Sequence, residues 1–299
     1  MQATAVTVVI PHHGSPGPTR DLLASLDTQA VARPVQVVVV DDASPEPFPA
    51  VDGFQVVRRE VNGGFGSAVN SGAAVAEHPL LLVLNSDLEI GPDFLPALLA
   101  AAAPWLPAVV SPRVVGHDGR LAWTGRHFPT VGHQTVEWLT PLARFRDWPC
   151  LHEAVGHDTR AAQGATVVDW VVGAAMLLPT ADFRAVGGFD ERFFMNAEEV
   201  DLQRRLRDRG LPAVVLDAPT VTHEGGGSSD PERRRQWLVA SRLAYAEKWG
   251  GRRRLQAALT TATAVNLLWN GGRRVAGRPV HPIRTARHEL DLIFETLEP

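Results

Sequence analysis

Two uninterrupted apolar runs limit what this chain can fold into. Residues 35–40 are five valines and one glutamine and end in Asp41-Asp42; residues 80–84 are wholly aliphatic and end in Asn85-Ser86-Asp87. Runs of that length without polar alternation suit strands buried on both faces of a parallel sheet. Residues 6–10 form a third such run, which Pro11 is expected to stop, and 54–58 and 109–110 add weaker strands. Between them, 19–28, 67–77 and 94–103 place leucines and alanines at helical spacing. Strand alternating with helix predicts an α/β domain with a mostly parallel sheet flanked by helices. Such sheets bind ligands at the carboxyl ends of their strands, where His12, Asp41, Asp42 and Asp87 fall.

Further along, 116–165 is irregular and holds Trp123, Trp138 and Trp148; it reads as an acceptor-side excursion or as a subdomain packing its own tryptophans. Strand character returns over 167–178 and 213–216, a charged helix is expected at 198–209, and 223–229 is Gly-rich. Past Pro231 helices dominate, with breaks expected at Gly250-Gly251 and Gly271-Gly272. The expected division is a catalytic domain over 1–231 and a helical extension over 232–299.

Composition narrows the function classes. With 45% hydrophobic and 21% charged residues the chain is not a disordered one. The single cysteine, Cys150, excludes an intrachain disulfide and a cysteine-rich zinc site, and fits a reducing compartment. The amino terminus lacks the charged start and cleavage site of a secretory signal, and the apolar stretch 255–269 is short for a membrane span. Charge is split: 232–299 carries a net +7, against −11 for 1–231. That predicts an anionic partner for the tail, with a solvated helix face as the alternative. All but one of the 29 basic residues are arginine, a bias that a GC-rich genome accounts for.

Several clusters could carry chemistry. A carboxylate at a strand end, Asp41 or Asp42, can accept hydrogen bonds from a nucleobase or cap a turn. Asp87 can hold a divalent metal between phosphates, since Mg²⁺ takes one or two protein carboxylates plus substrate oxygens. Asn62-Gly63-Gly64-Phe65-Gly66 is a loop whose N–H groups can approach phosphate or sugar, but Val69 stands where a dinucleotide fingerprint needs its third glycine. Glu198-Glu199-Val200-Asp201 opens a helix with three acids; one of them can act as general base on an alcohol, or all can answer the helix dipole. His223 ends a strand and can ligate a metal.

Taken in order, these residues resemble the family 2 glycosyltransferases of the GT-A fold, and among them the bacterial rhamnosyltransferase-like enzymes of cell-wall and surface polysaccharide synthesis. The resemblance runs from about Val6 to Trp249. It rests on the strand ending at Pro11, Asp41-Asp42-Ala43-Ser44, Asn62-x-Gly64-Phe65-Gly66 with Asn70-x-Gly72, and Asn85-x-Asp87. It continues through Gly173-Ala174, Gly187-Gly188-Phe189-Asp190-Glu191, the Glu198-Glu199 helix, and His223 before Gly225-Gly226.

The resemblance implies a Rossmann-like GT-A sheet and transfer of a sugar, rhamnose among the candidates, from a nucleoside-diphosphate donor. The acceptor is a hydroxyl of a glycan or polyprenyl-diphosphate-linked sugar, and the anomeric centre inverts. It assigns the base contact to Asp42 with Asp41 beside it, the pocket wall to Pro11 and His12, and donor contacts to Asn62, Gly64 and Asn85. Gly173 and Ala174 fall near the sugar. Asp87 and His223 hold Mg²⁺ or Mn²⁺. Glu199 stands where the family usually has an aspartate, so the catalytic base here is Glu199, with Glu198 the competing candidate. The tail is expected to meet the cytoplasmic face of the membrane through its arginines; no nucleic-acid partner is expected. A non-catalytic nucleotide-sugar binder is the alternative. A sugar nucleotidyltransferase is less consistent, because the loop after the first strand lacks its Arg- and Lys-bearing pattern.

Overall fold

The computed structural model describes residues 5–29, 34–223 and 230–294. Strand β1 (Val6–His12) is followed by α1 (Gly17–Asp27), β2 (Val35–Asp41) and β3 (Gln55–Arg58). Then come α2 (Gly64–Ala74), β4 (Leu80–Leu84), β5 (Leu88–Glu89), α3 (Phe94–Ala102), β6 (Val109–Val115) and β7 (Gly125–Arg126). Helices α4 (Val131–Trp138) and α5 (Pro149–Ala154) lead to short strands β8 (Thr166–Val168) and β9 (Trp170–Val171) and to β10 (Ala175–Pro179). The chain continues through α6 (Thr180–Ala185), α7 (Glu198–Asp208) and β11 (Ala213–His223) to α8 (Pro231–Lys248), α9 (Arg252–Val275) and α10 (Pro282–Phe294).

The main sheet has the order β3-β2-β1-β4-β10-β6-β11-β5, with β8 paired to β11. Strands β3, β2, β1 and β4 are parallel, and β6 and β11 are parallel to each other. Strand β10 enters between β4 and β6 antiparallel to both. Because the expected runs are buried on both faces, they have no polar side: every residue of β4 is buried, as are Val37 to Asp41 of β2. One face packs Leu22, Leu95 and Leu98 of the flanking helices, the other Val69, Leu202 and Leu206.

Pro11 does not end β1. It pairs in register with Val40, and the strand continues to His12 opposite Asp41. Beyond Val9 there is no pairing with β4, so the missing N–H of proline is tolerated where the strand has one neighbour only. The strand expected at 213–216 runs on to His223, with a register shift between Val215 and Thr220. The strand character expected over 167–178 takes the form of three strands, β8, β9 and β10.

The chain divides into two units. One contains 1–127 and 160–229; the other contains 128–159 and 230–299. Of the central segment, 128–159 groups with 230–299 and the remainder with the first unit. The second unit has its own core of Trp138, Val239, Leu243, Leu255, Leu259 and Ile293. Trp138 Nε1 donates to Thr263 Oγ1 at 2.9 Å, and Asn266 bridges Trp138 O and Thr140 N at 3.0 and 2.8 Å. Helix α9 passes unbroken through Gly271-Gly272, contrary to the expected break, whereas the expected break at Gly250-Gly251 is present. Neither Gly271 nor Gly272 has positive φ, and a glycine in a helix costs about 1 kcal/mol rather than ending it. Among the described residues no helix is long and apolar enough to cross a membrane.

Candidate active site

The carboxyl ends of β1, β2 and β4 build one wall of the site. Asp41 is fully buried and spends its oxygens inward: they accept from Ser44 N and Phe48 N at 2.8 Å each and from the Arg58 guanidinium. Burial alone would raise its pKa, but these hydrogen bonds outweigh it and hold Asp41 at about 2. Asp41 therefore shapes the turn that follows β2. Asp42 ties that turn to the glycine loop: its carboxylate accepts from Gly63 N and Gly64 N at 3.1 and 2.8 Å and lies 2.7 Å from Arg59 Nε. His12 is buried, with Nδ1 2.7 Å from Thr19 Oγ1 and its ring edge-on to Phe48. Burial lowers its pKa, which favours the neutral ring. The groups this end offers to solvent are His13, whose Nδ1 lies 3.0 Å from Asp42 O, and Asn62, 3.3 Å from the same ring nitrogen. His13 carries no mark in the sequence beyond its place after His12.

Gly64 opens α2 with φ +81°, and a Cβ there would lie 1.9 Å from Phe194 O. The loop needs glycine because the segment preceding α7 passes directly over it. Asn70 joins two distant motifs: its amide donates to Phe189 O at 2.9 Å and accepts from Phe189 N at 2.8 Å.

At the end of β4, Asp87 Oδ1 and Asn85 Nδ2 each lie 3.2 Å from His223 Nε2, and Asn85 Oδ1 is buried with no partner. Burial pushes the Asp87 pKa up, but the hydrogen bond and charge interaction with His223 outweigh it, so Asp87 is the more readily ionised. A carboxylate oxygen, an imidazole nitrogen and an orphaned amide oxygen side by side fit a divalent cation such as Mg²⁺ or Mn²⁺. The Gly225-Gly226 pair beyond His223 lies outside the described residues.

Asn85 N donates to Ala174 O at 2.8 Å, which carries this cluster to Gly173 and from there to α7. Gly173 sits where a Cβ would meet Phe65 and Glu199 at ordinary contact distance. Helix α7 begins after two left-handed non-glycine residues, Asn196 (φ +69°) and Ala197 (φ +65°). Such backbone is costly and clusters at functional sites. Glu198 is 4% exposed, and Glu198 Oε2 and Glu199 Oε2 are both buried without a hydrogen-bond partner. Burial raises both pKa values, and the neighbouring Glu199 raises that of Glu198 further. Glu199 is pulled back by Arg126 and by the backbone of Gly173. Of the two, Glu198 is therefore held further towards its protonated form. Asp201 is occupied elsewhere, paired to Arg205 at 2.9 Å.

Arg126 escaped the sequence reading. It lies on the two-residue β7, opposite Trp170 of β9, with its guanidinium 5.7 Å from the Trp170 ring centre. A two-residue strand leaves no periodic signal. Gln203 fixes β9 to α7 by donating to Val171 O at 2.7 Å and accepting from Val171 N at 2.8 Å.

Residues 7–164 match the model of glycosyl transferase family 2. The chain is 32% identical over 247 residues to an N-acetylglucosaminyl-diphospho-decaprenol L-rhamnosyltransferase of Mycobacterium tuberculosis, covering 76% of this chain and 78% of that protein. It is 31% identical over 252 residues to a validoxylamine A glucosyltransferase of Streptomyces hygroscopicus, covering 75% of this chain and 58% of that one. Among solved structures, a Pyrobaculum calidifontis mannosyltransferase in complex with GDP-Man and Mn²⁺ aligns at a TM-score of 0.53 and 17% identity, over 96% of this chain and 84% of that one. GalNAc-T7 with UDP, GalNAc and Mn²⁺ aligns at 0.55 and 16%, over 82% of this chain but only about half, 48%, of that larger one. At these identities the two structures speak for the fold, which is GT-A.

Proposed function

The chain belongs to glycosyltransferase family 2, and from that premise we propose that it moves L-rhamnose from a nucleoside-diphosphate donor to a hydroxyl of a polyprenyl-diphosphate-linked sugar, inverting the anomeric centre. The observation that carries the mechanism is the pair of glutamates opening α7, whose Glu198 Oε2 and Glu199 Oε2 are buried without a hydrogen-bond partner, with Glu199 beside Gly173 and its raised pKa pulled back by the charge of Arg126. The relative from M. tuberculosis, named for rhamnosyl transfer to such an acceptor, supports the substrate class.

Glu199 takes the proton from the acceptor hydroxyl as its oxygen attacks the anomeric carbon. The bond from that carbon to the diphosphate breaks on the opposite face, and the electron pair leaves with the nucleoside diphosphate. Glu198, neutral beside it, keeps the pair from carrying two charges in a buried site. Asn62 and His13 line the nucleotide end, with Pro11, His12 and Asp42 holding the turn and glycine loop behind them. Asp87 and His223 would hold the metal, Mg²⁺ or Mn²⁺, which when bound offsets negative charge on the leaving diphosphate. The positive excess of 232–299 and the exposed Leu268, Val275 and Ile283 support contact of the C-terminal helices with the anionic inner face of the cell membrane, where a lipid-linked acceptor is held.

The test is a panel of nucleotide sugars, dTDP-rhamnose included, offered with a polyprenyl-diphospho-N-acetylglucosamine acceptor. Transfer from dTDP-rhamnose with inverted configuration in the product is expected; it is lost in EDTA and in Asp87→Ala, and restored to the wild type by Mg²⁺ or Mn²⁺. Binding of a nucleotide sugar with neither transfer nor hydrolysis would mark a non-catalytic binder instead.

A further inference from the structure

The unit formed by 128–159 and 230–294 contains a pocket of about 620 Å³, within the range of small-molecule sites. Its lining includes five arginines: Arg146, Arg235, Arg242, Arg273 and Arg284. Its two acids are already matched. Arg242 pairs with Glu137 at 2.5 Å, and Arg235 lies 3.5 Å from the buried Glu289, which also accepts from Asn266. Arg273 reaches the Asn270 amide oxygen, at 3.3 Å, and no carboxylate among the described residues. Arg146 and Arg284, both exposed, have no carboxylate within reach among the described residues. Three guanidinium groups without a carboxylate around one concavity repel one another, and an anion between them turns that repulsion into attraction. Guanidinium forks match the paired oxygens of phosphate esters. The other wall is apolar, with Leu238, Val239 and Val280.

We propose that this pocket is a binding site for a phosphate ester, distinct from the donor site, with space for a diphosphate. It rests on the proposed function only in expecting lipid-borne phosphate near this unit; the binding itself does not depend on catalysis. Two sources share the chemistry: the headgroup of an anionic phospholipid, and a single phosphate-ester molecule such as an isoprenoid diphosphate.

The experiment uses the full chain in metal-free buffer, so that the Asp87–His223 cluster contributes no metal-dependent binding. Inorganic pyrophosphate is titrated by calorimetry into the wild type and into Arg146→Ala/Arg284→Ala, and both are sedimented with phosphatidylglycerol vesicles. Among the described residues neither side chain has a partner whose loss would disturb the fold. Pyrophosphate affinity is expected to fall about tenfold or more in the variant, a factor set by losing two charge-assisted contacts. Donor hydrolysis, measured with metal added, stays at the wild-type rate. If vesicle binding falls in parallel, the headgroup is the source; if it is unchanged, a single phosphate-ester ligand is. Equal pyrophosphate affinity in the two proteins, or none in the wild type, overturns the site.

Discussion

Two adjacent glutamates with unpartnered oxygens make opposite predictions. Glu199→Gln should lose about 10²–10⁴-fold in turnover, the usual contribution of a general base, while binding donor as before. Glu198→Gln should keep most of the turnover, because glutamine resembles the protonated acid that burial of Glu198 favours. A steady-state comparison of the two, with donor affinity measured separately, checks the assignment. The same burial has a consequence for stability. The folded-state pKa of Glu198 is raised, so the native protein binds its proton more tightly than the unfolded chain does. The stability this contributes is complete below the ordinary glutamate value of 4.5 and is lost as pH rises through the raised one. Melting temperature should therefore fall on the alkaline side in the wild type, and less so in Glu198→Gln. Residue types in this site were legible in the sequence because they sit at strand ends and at a helix start. Their division of labour was not: Asp41 and Asp42 are neighbours with the same side chain, and only the fold sends Asp41 to Ser44 and Phe48 and Asp42 to the glycine loop.

Among the elements, two glycine positions are expected to respond in opposite ways. Gly64→Ala combines positive φ with a Cβ only 1.9 Å from Phe194 O, so it should cost more than about 2 kcal/mol and uncouple the loop from α7. Gly272→Ala meets nothing within 4 Å and lies inside α9, so it should stabilise by about 0.5–1 kcal/mol through a less flexible unfolded chain. Denaturant titration of both variants reads the two signs. Strands β2 and β4 were legible because burial on both faces leaves an unbroken apolar run. Glycine pairs carry less information: Gly251 takes φ +105° and caps α9, while Gly271 and Gly272 are ordinary helical residues. Pro11 likewise reads as a stop until its one-sided pairing is known.

For the whole molecule, the uneven charge gives a prediction separate from any one pocket. Binding to phosphatidylglycerol vesicles is expected at low salt and should be released towards 1 M, where screening shortens to about 3 Å; phosphatidylcholine vesicles should not bind. Cosedimentation across a salt series measures it. The sheet was legible at this scale, but the company kept by 128–159 was not. Trp138 finds its place through Thr263 and Asn266, more than a hundred residues later, and no local pattern announces such a partner. That arrangement also sets a clock on synthesis. Trp138 leaves the ribosome 125 residues before Thr263, which at about 5–20 residues per second is a wait of roughly 6–25 s. Until then an indole meant for a core is open to chaperones and to other nascent chains, and a transcript cut short before α9 yields a product that quality control can recognise by that side chain.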